Sequence, residues 1–339
     1  LGEQFSPAIA VDDTGDVFIV WEDRGQGDAD IFFRKYDSDA GFGTKKQINA
    51  DTTLSVDYDT TPSIAISSGQ LYITWEHRND VGDDYPDIYF RWSSNLGDTF
   101  QTQKYLTLSG RRPEIAMDSS GVAYVVWEDL GEELIQFPSL PTVIKLRKIE
   151  DGTEGDSKSL EVTSGYNARL PAIAVDPVCN TSGDLICDVY VVWQRALISE
   201  PKFVSEVISS YDIDLTIVNG GTLGIIKTTL SVPDSGSSGI FGGAAYPAIS
   251  ADDTNIYMVW DDWRNGTKDV YFAKSSDGED FTTNRIVNDD TDNSSGVTWH
   301  EKPGIAVADG KAYVIWTDYR NTQLSTTASP NDVFFAVEQ

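Results

Sequence analysis

Cysteine and histidine are rare in this chain, with two of each among 339 residues. Two histidines are too few for a histidine-rich metal site, and the Gly-x-Ser-x-Gly element typical of serine hydrolases is missing. No uninterrupted apolar run reaches the roughly 18 residues of a membrane span. Apolar residues at helical spacing are absent as well. Because 40% of the residues are hydrophobic, the composition predicts a globular chain. The lack of helical spacing and of long apolar runs predicts that this chain is all-β and has no membrane span.

Basic residues are also scarce, since 25 Lys and Arg stand against 54 Asp and Glu and leave a net charge of −29. Nucleic acid binding needs a basic face, and this composition argues against one. The acidic residues are scattered through predicted loops rather than gathered in a tail. Such a surface suits a salty medium, high solubility or Ca²⁺ ions held by loop carboxylates.

The two cysteines, Cys179 and Cys187, flank a Ser-Gly-Asp turn. They are predicted to form a disulfide across a hairpin, which implies an oxidising compartment; two separate buried thiols are the alternative. Asn-x-Ser/Thr sequons at Asn180, Asn265 and Asn293 would accept glycans. The chain begins at Leu1 rather than Met, so we expect a processed product or a piece of a longer protein. The predicted location is therefore secreted or cell-surface.

One pattern recurs along the whole chain: a Pro, an Ile two residues later, an Asp/Gly turn, and an aromatic and aliphatic run that ends in Trp. The six copies begin at Pro7, Pro62, Pro113, Pro171, Pro247 and Pro303 and reach Trp21, Trp75, Trp127, Trp193, Trp260 and Trp316. The fourth copy is longer than the others, and its extra residues contain both cysteines. Such a repeat predicts one domain over residues 1–339, built from six similar units.

Short aromatic segments follow the Trp in several copies, for example Asp30 to Phe33, Asp87 to Phe90, Asp269 to Phe272 and Asp332 to Phe335. They have the composition of β-strands, and a fourth strand follows in several copies, such as Asn284 to Asn288. Four antiparallel strands in each of six units predict a six-bladed β-propeller. The Ile and Trp of each copy are predicted to pack between blades; the Ile positions are Ile9, Ile64, Ile115, Ile173, Ile249 and Ile305.

The last copy ends at its third predicted strand, Asp332 to Gln339. Only six residues precede Pro7, barely enough to complete that blade from the other terminus. The incomplete last blade is therefore predicted to accept a strand from missing upstream sequence or from a neighbouring molecule, which would allow self-association.

Three segments that follow third strands carry a known turn motif. Ser93-Ser-Asn-Leu-Gly-Asp-Thr-Phe100 fits the Asp-box pattern Ser-x-Asp-x-Gly-x-x-Trp/Phe with Asn in place of Asp; Ser275 to Phe281 fits with one deletion, and Asp37 to Phe42 is a more worn copy. Over nearly its full length the chain resembles the sialidase-like, Asp-box (BNR) propeller superfamily. The resemblance implies that the box is a structural turn between the third and fourth strands, on the face opposite an active site.

Active sialidases of this superfamily use three arginines, an Asp and a Tyr–Glu pair. Arg169-Leu-Pro171 looks like the first arginine element and Arg112-Pro113 like a shortened one, but both lie mid-chain, where the family has its element in the first blade. Arg112, Arg169 and Arg195 are thus the catalytic candidates. No Tyr–Glu pair can be singled out among 15 tyrosines. A sialidase-like glycoside hydrolase stays open as the alternative function.

An acidic residue and an Arg recur after the Trp of most copies, on a face that should also carry aromatic side chains able to stack on sugars. The predicted binding face consists of Asp23, Arg24, Arg78, Asp262, Trp263, Arg264, Trp299, Asp318, Tyr319 and Arg320. A catalytic set would be unique to particular blades, whereas this pair is distributed, so repeated Asp–Arg bridges that brace the loops are the structural alternative.

Insertions at 129–141, 198–209 and 220–246 mark one sector of the same face as a candidate partner site. Two acidic loops are weak candidates for Ca²⁺, and their ligands would come from Asp83, Asp84, Asp87, Asp289, Asp290 and Asp292. Together these observations favour a non-catalytic extracellular propeller that binds glycans or other surface proteins, or assembles with itself.

Overall fold

The computed structural model describes residues 2–25, 28–50, 57–78, 85–131, 142–160, 166–177, 187–198, 208–229, 243–289, 299–319 and 332–338. These residues form 24 β-strands. They contain no helix, and so none with the length and apolarity needed to cross a membrane. The strands form six separate antiparallel sheets that follow one another along the chain. The chain is a six-bladed β-propeller, which confirms the predicted fold class.

Blades 1 to 3 form one compact unit, Leu1–Leu160. Blade 1 contains β1 (Gln4–Val11), β2 (Val17–Asp23), β3 (Asp30–Asp37), β4 (Gly41–Phe42) and β5 (Lys46–Gln47). Blade 2 contains β6 (Tyr58–Ser67), β7 (Gln70–Arg78), β8 (Asp87–Ser93) and β9 (Lys104–Thr107). Blade 3 contains β10 (Gly110–Met117), β11 (Ala123–Asp129), β12 (Val143–Glu150) and β13 (Thr153–Ser159).

Blades 4 to 6 form a second compact unit, Glu161–Gln339. Blade 4 contains β14 (Tyr166–Val175), β15 (Asp188–Ile198), β16 (Ile208–Asn219) and β17 (Ile225–Thr229). Blade 5 contains β18 (Ala244–Ala251), β19 (Ile256–Asp262), β20 (Asp269–Ser275) and β21 (Arg285–Ile286). Blade 6 contains β22 (His300–Ala308), β23 (Lys311–Asp318) and β24 (Asp332–Glu338). That the whole chain forms one domain stays a prediction.

Within each unit the core lies between consecutive blades. Phe18 and Phe33 of blade 1, for example, pack in one cluster with Ile73 and Trp75 of blade 2. The second strands β11 and β19 are buried at every residue. These strands consequently read as continuous apolar and aromatic runs rather than as an alternation.

The repeated Ile and Trp positions are mostly buried, as predicted. Ile64, Ile115 and Ile249 are 7%, 7% and 8% exposed, and the Trp residues from Trp75 to Trp316 are at most 3% exposed. The prediction is wrong for Ile9, which is 65% exposed. Blade 1 is the first blade of its unit, so that unit contains no preceding blade to cover Ile9.

Blade 6 has three strands among the described residues, rather than the four of blades 2 to 5. Val333 and Phe335 on its outermost strand, β24, are 73% and 70% exposed. The matching residues of blade 5, Val270 and Phe272, are 0% and 2% exposed because they pack in the cluster shared with blade 6.

The Asp-box segments form the turns predicted between third and fourth strands. In the turn between β8 and β9, the Ser93 hydroxyl accepts the backbone N–H of Gly97 at 2.9 Å, and Oδ1 of Asn95 accepts the backbone N–H of Thr99 at 3.0 Å. The Phe100 ring then packs edge-on against Phe33 of blade 1, with centroids 5.2 Å apart. The box thus closes a turn and connects two blades.

Candidate functional site

The inner strand of every blade bulges at the residue that precedes its proline. These residues have φ between 46° and 53° and are Ser6, Thr61, Arg112, Leu170, Tyr246 and Lys302. The pairing register shifts at the same place in all six inner strands. A positive φ is strained for a residue with a Cβ, so the surrounding structure must hold the bulge in place.

The residue after the core Trp supplies that support in two blades. Oε1 of Glu76 in blade 2 accepts the backbone N–H of Arg112 in blade 3 at 2.7 Å. Oδ2 of Asp261 in blade 5 accepts the backbone N–H of Lys302 in blade 6 at 3.1 Å. The recurring acid after the Trp therefore connects one blade to the bulge of the next.

The acid–arginine bridges expected on this face are present, although the acid is not always the predicted one. Nε of Arg24 lies 2.6 Å from Oε1 of Glu22 rather than on Asp23, which instead pairs with Lys45 at 3.3 Å. Arg78 faces Glu76, with Nη2 and Oε2 3.7 Å apart. The reason is geometric: these arginines reach back to the buried acid directly after the Trp.

Arg264 is the exception, because it reaches the predicted Asp262, with Nε 3.0 Å from Oδ2. Its guanidinium also lies over the ring of Tyr271, 4.3 Å from the centroid. This second contact fixes the guanidinium plane, so Arg264 holds the loop that begins at Trp263.

Two of the three catalytic candidates, Arg112 and Arg195, are engaged by carboxylates of the chain itself. Nη1 of Arg112 donates to Oε1 of the fully buried Glu128 at 2.9 Å. The guanidinium of Arg195 lies 2.9 Å from both Asp212 and Asp214 on the third strand of its blade. Arg169 is the register partner of Gln194 on β15. The pairs at Arg112 and Arg195 resemble structural braces more than a clamp for a ligand carboxylate.

Three aromatic side chains of the predicted face meet in the second unit, and we call Trp263, Trp299 and Tyr319 the aromatic cluster. The rings of Trp263 and Trp299 are 5.7 Å apart and those of Trp299 and Tyr319 6.4 Å apart, both edge to face. Trp299 is 41% exposed, and the other two are half-buried. Trp263 follows the second strand of blade 5, whereas Trp299 and Tyr319 flank the first two strands of blade 6.

An ion network is linked to the cluster through Tyr319 and Glu301 and is centred on Lys268, which is 7% exposed. Its Nζ lies 2.7 Å from Oε2 of Glu301 and 3.3 Å from Oδ2 of Asp261. Its backbone carbonyl accepts the N–H of His300 at 2.9 Å, directly after Trp299. Lys268 therefore contacts both Asp261 and Glu301 and the start of the strand that follows Trp299.

The two carboxyl groups on Lys268 have opposite pKa shifts. Burial raises the pKa of Asp261 to about 7, against the attraction of Lys268, and its Oδ1 is buried without a hydrogen-bond partner among the described residues. Burial also raises the pKa of Glu301, but hydrogen bonds from Lys268 and Tyr319 outweigh it and leave that pKa below its ordinary value. Glu301 is thus the ionised member of the pair near neutral pH.

The structure also contains a Tyr–Glu pair that the sequence did not reveal. The Tyr319 hydroxyl donates to Oε1 of Glu301 at 2.8 Å. That hydrogen bond and burial raise the pKa of Tyr319, so the phenol keeps its proton. The sequence did hold a signal for this pair. Pro303 and Trp316 mark equivalent positions of β22 and β23 in the repeat, and the register of these two strands brings Glu301 close to Tyr319.

Asp318, another predicted face residue, lies beneath the surface at 1% exposure. It accepts the indole N–H of Trp316 at 3.2 Å and lies 3.4 Å from Nε2 of His300. Its contacts are those of a supporting residue rather than of a ligand contact.

Several predicted residues lie outside the described part of the chain: Cys179, Asn180, Arg320, Asn293, Asp83, Asp84, Asp290 and Asp292. Cys187 is 1% exposed, and the disulfide stays a prediction. In the described segments no three Asp, Glu, His or Cys side chains are grouped so that they could hold a metal ion. The Ca²⁺ sites, including Asp87 and Asp289, stay predictions. Asn265 is exposed, and its amide donates to the Tyr271 hydroxyl at 2.6 Å.

No protein-family model matches the chain, and no curated protein matches its sequence. Solved structures do share its fold. A protein of unknown function from Dyadobacter fermentans aligns with TM-score 0.61 and 10% identity over 99% of this chain and 94% of its own. A GH93 α-L-arabinofuranosidase of Fusarium graminearum, solved with arabinobiose, aligns with TM-score 0.57 and 11% identity over 98% and 92%. A Hadza microbial sialidase aligns with TM-score 0.53 and 10% identity over 99% of this chain and 65% of its own. The chain therefore has the sialidase-like six-bladed propeller fold that its repeat predicted.

Proposed function

We propose that this chain is a glycan-binding propeller whose ligand lies on the aromatic cluster and is not hydrolysed there. The observation that carries the proposal is the cluster itself, in which three aromatic rings stand at the surface of blades 5 and 6 with Trp299 41% exposed. Partly exposed aromatic rings with a few fixed polar groups are a common arrangement for binding sugars and other small ligands.

The polar groups beneath the rings support binding rather than catalysis. Asp262 is held by Arg264, and Glu301 by Lys268 and Tyr319. Asp261 is fully buried. A glycosidase needs one carboxyl group to protonate the leaving oxygen and a second to act on the sugar, both within reach of the substrate.

The fold neighbours favour a glycan as the ligand class. One of them is a sialidase and another is an arabinofuranosidase solved with arabinobiose. At 10% and 11% identity they share a fold with this chain, and the ligand class is our extension.

The test is binding to a glycan array by the full chain and by Trp299→Ala. We expect the substitution to weaken binding at least about tenfold, as for a central aromatic contact. Tyr105→Ala is the matched control, because Tyr105 is 59% exposed on β9 of the other unit. Unchanged binding by Trp299→Ala would reject the site, and loss with Tyr105→Ala as well would indicate a general effect.

Glycoside hydrolysis is the second candidate, favoured by one observation. Environments that push two carboxyl pKa values apart are how acid and base roles are assigned, and Asp261 and Glu301 are such a pair on one lysine. Release of reducing sugar from arabinan by the wild-type chain, lost in both Asp261→Asn and Glu301→Gln, would favour hydrolysis over binding alone.

A secreted or cell-surface location is part of the proposal, in keeping with the net charge of −29 and the predicted Cys179–Cys187 disulfide. Self-association through β24 also belongs to it, because Val333 and Phe335 are exposed where blade 5 buries the matching residues. Light scattering of the wild type and of Phe335→Ser, with and without a calcium chelator, tests the second point. A wild type that is monomeric under both conditions would argue against assembly.

A further inference from the structure

The charged residues around the aromatic cluster affect which glycans it can bind. Around the three rings, blades 5 and 6 contribute more acids than bases among the described residues. The acids are Asp261, Asp262, Asp269, Glu301 and Asp318, and the bases are Arg264, Lys268 and Lys302.

Two of the three bases already have carboxylate partners within the protein. Arg264 is bound to Asp262 at 3.0 Å. Lys268 is bound to Glu301 at 2.7 Å and to Asp261 at 3.3 Å. A carboxylate or sulfate on a ligand would have to compete with these acids for the same donors, and displacing a buried acid would leave it uncompensated, which is strongly unfavourable.

The third base, Lys302, is exposed, and its Nζ lies 5.7 Å from the centroid of the Tyr246 ring. A single lysine supplies a point charge and no planar fork that matches a carboxylate. The field of a chain with net charge −29 opposes the approach of any anion as well.

We infer that the aromatic cluster selects uncharged glycans and excludes those that carry carboxylate or sulfate groups. This inference rests on the proposed function, because it names the ligand class of the same site. Uncharged sugars need no ionic partner, and stacking on the rings of the cluster breaks no ion pair.

The experiment compares glycans that differ in charge alone. An array carries oligogalacturonates beside their methyl esters, and sialylated oligosaccharides beside the same compounds with their carboxyl groups methyl-esterified. We expect neutral glycans to bind at least about tenfold more tightly than their acidic counterparts at low salt. The ratio should shrink at 1 M salt, where the screening length falls to about 3 Å.

Each outcome has a distinct meaning. Equal or tighter binding of the acidic member of a pair would overturn the inference and leave glycan binding intact. Absence of binding to every glycan, or neutral binding that survives Trp299→Ala, would overturn the proposed function and the inference with it. Glu301→Gln adds a second measurement, because it releases Lys268 from one acid while keeping an acceptor for Tyr319; an unchanged ratio of neutral to acidic binding would contradict the role of charge.

Discussion

His300 on β22 and Asp318 on β23 are register partners, and Nε2 of His300 lies 3.4 Å from Oδ2 of Asp318. Blade 2 contains the same pair with the residue types exchanged, since Asp59 on β6 faces His77 on β7 at 3.0 Å. In both blades the Asp also accepts the indole N–H of the core Trp. The two strands can exchange the members of the pair because the Asp reaches the same indole from either one.

Removal of the histidine should destabilise blade 6 more than blade 2. Both side chains of the His300–Asp318 pair are fully buried, so His300→Ala removes a buried polar contact of Asp318, leaves a cavity and should lower the free energy of unfolding by about 3 kcal/mol. The His77 side chain is 13% exposed, and water can replace part of its contact, so His77→Ala should cost about 1 kcal/mol. Urea unfolding measures both, and equal losses would contradict the argument.

Two equally buried tryptophans should differ in how well they tolerate phenylalanine. The Trp75 indole N–H donates to Asp59 at 2.6 Å, whereas the Trp127 indole N–H has no acceptor among the described residues. Both substitutions lose packing volume, but Trp75→Phe also deprives a buried carboxylate of a donor. It should be the more destabilising by about 1–2 kcal/mol in thermal or urea unfolding. A larger loss for Trp127→Phe would show that packing dominates.

Two glycines with the same backbone conformation separate strain from crowding. Gly97 in the Asp-box turn and Gly41 have φ of +80° and +83°. A Cβ on Gly97 would lie 2.5 Å from Cζ of Phe33, while one on Gly41 meets nothing within 4 Å. Gly41→Ala should therefore cost about 1 kcal/mol from strain alone, and Gly97→Ala roughly 1–3 kcal/mol more. Similar unfolding free energies for the two variants would refute the contact with Phe33.

Asp261 should make stability fall as pH rises. Burial raises its pKa from 3.8 to about 7, so between these values the folded protein holds a proton that the unfolded chain has lost. The folded state then binds more protons, and the free energy of unfolding decreases with pH through this window. Asp261→Asn does not titrate at this position. As the pH rises from 4 to 7.5, its free energy of unfolding should therefore increase relative to that of wild type by on the order of a few kcal/mol. A difference that is constant with pH would contradict it.

The blades could be predicted because the repeat places Pro and Trp at the same strand positions in every copy, and strand order then follows from the chain. The Asp-box turns could be predicted equally well, because Ser93 and Gly97 make the contact that their pattern implies. The Tyr319–Glu301 pair was not, because residues 18 apart meet only through the register of two strands. Lys268 was missed for the same reason: its partners Asp261 and Glu301 come from different blades.

The exposure of Ile9 marks another limit of the sequence. A repeat predicts that equivalent positions have equivalent surroundings, and this holds for Ile64, Ile115 and Ile249. It fails at Ile9 of blade 1, the first copy of the repeat.

The bulge before each proline tolerates a serine, a threonine, an arginine, a leucine, a tyrosine and a lysine at one φ value within a few degrees. Because strand register holds the backbone there, different side chains fit one conformation, although the Arg112 side chain also pairs with the buried Glu128. These six positions therefore carry different side chains on the same backbone conformation. Randomising Tyr246 and Lys302, which border the aromatic cluster, would be the most direct way to give this propeller a new ligand.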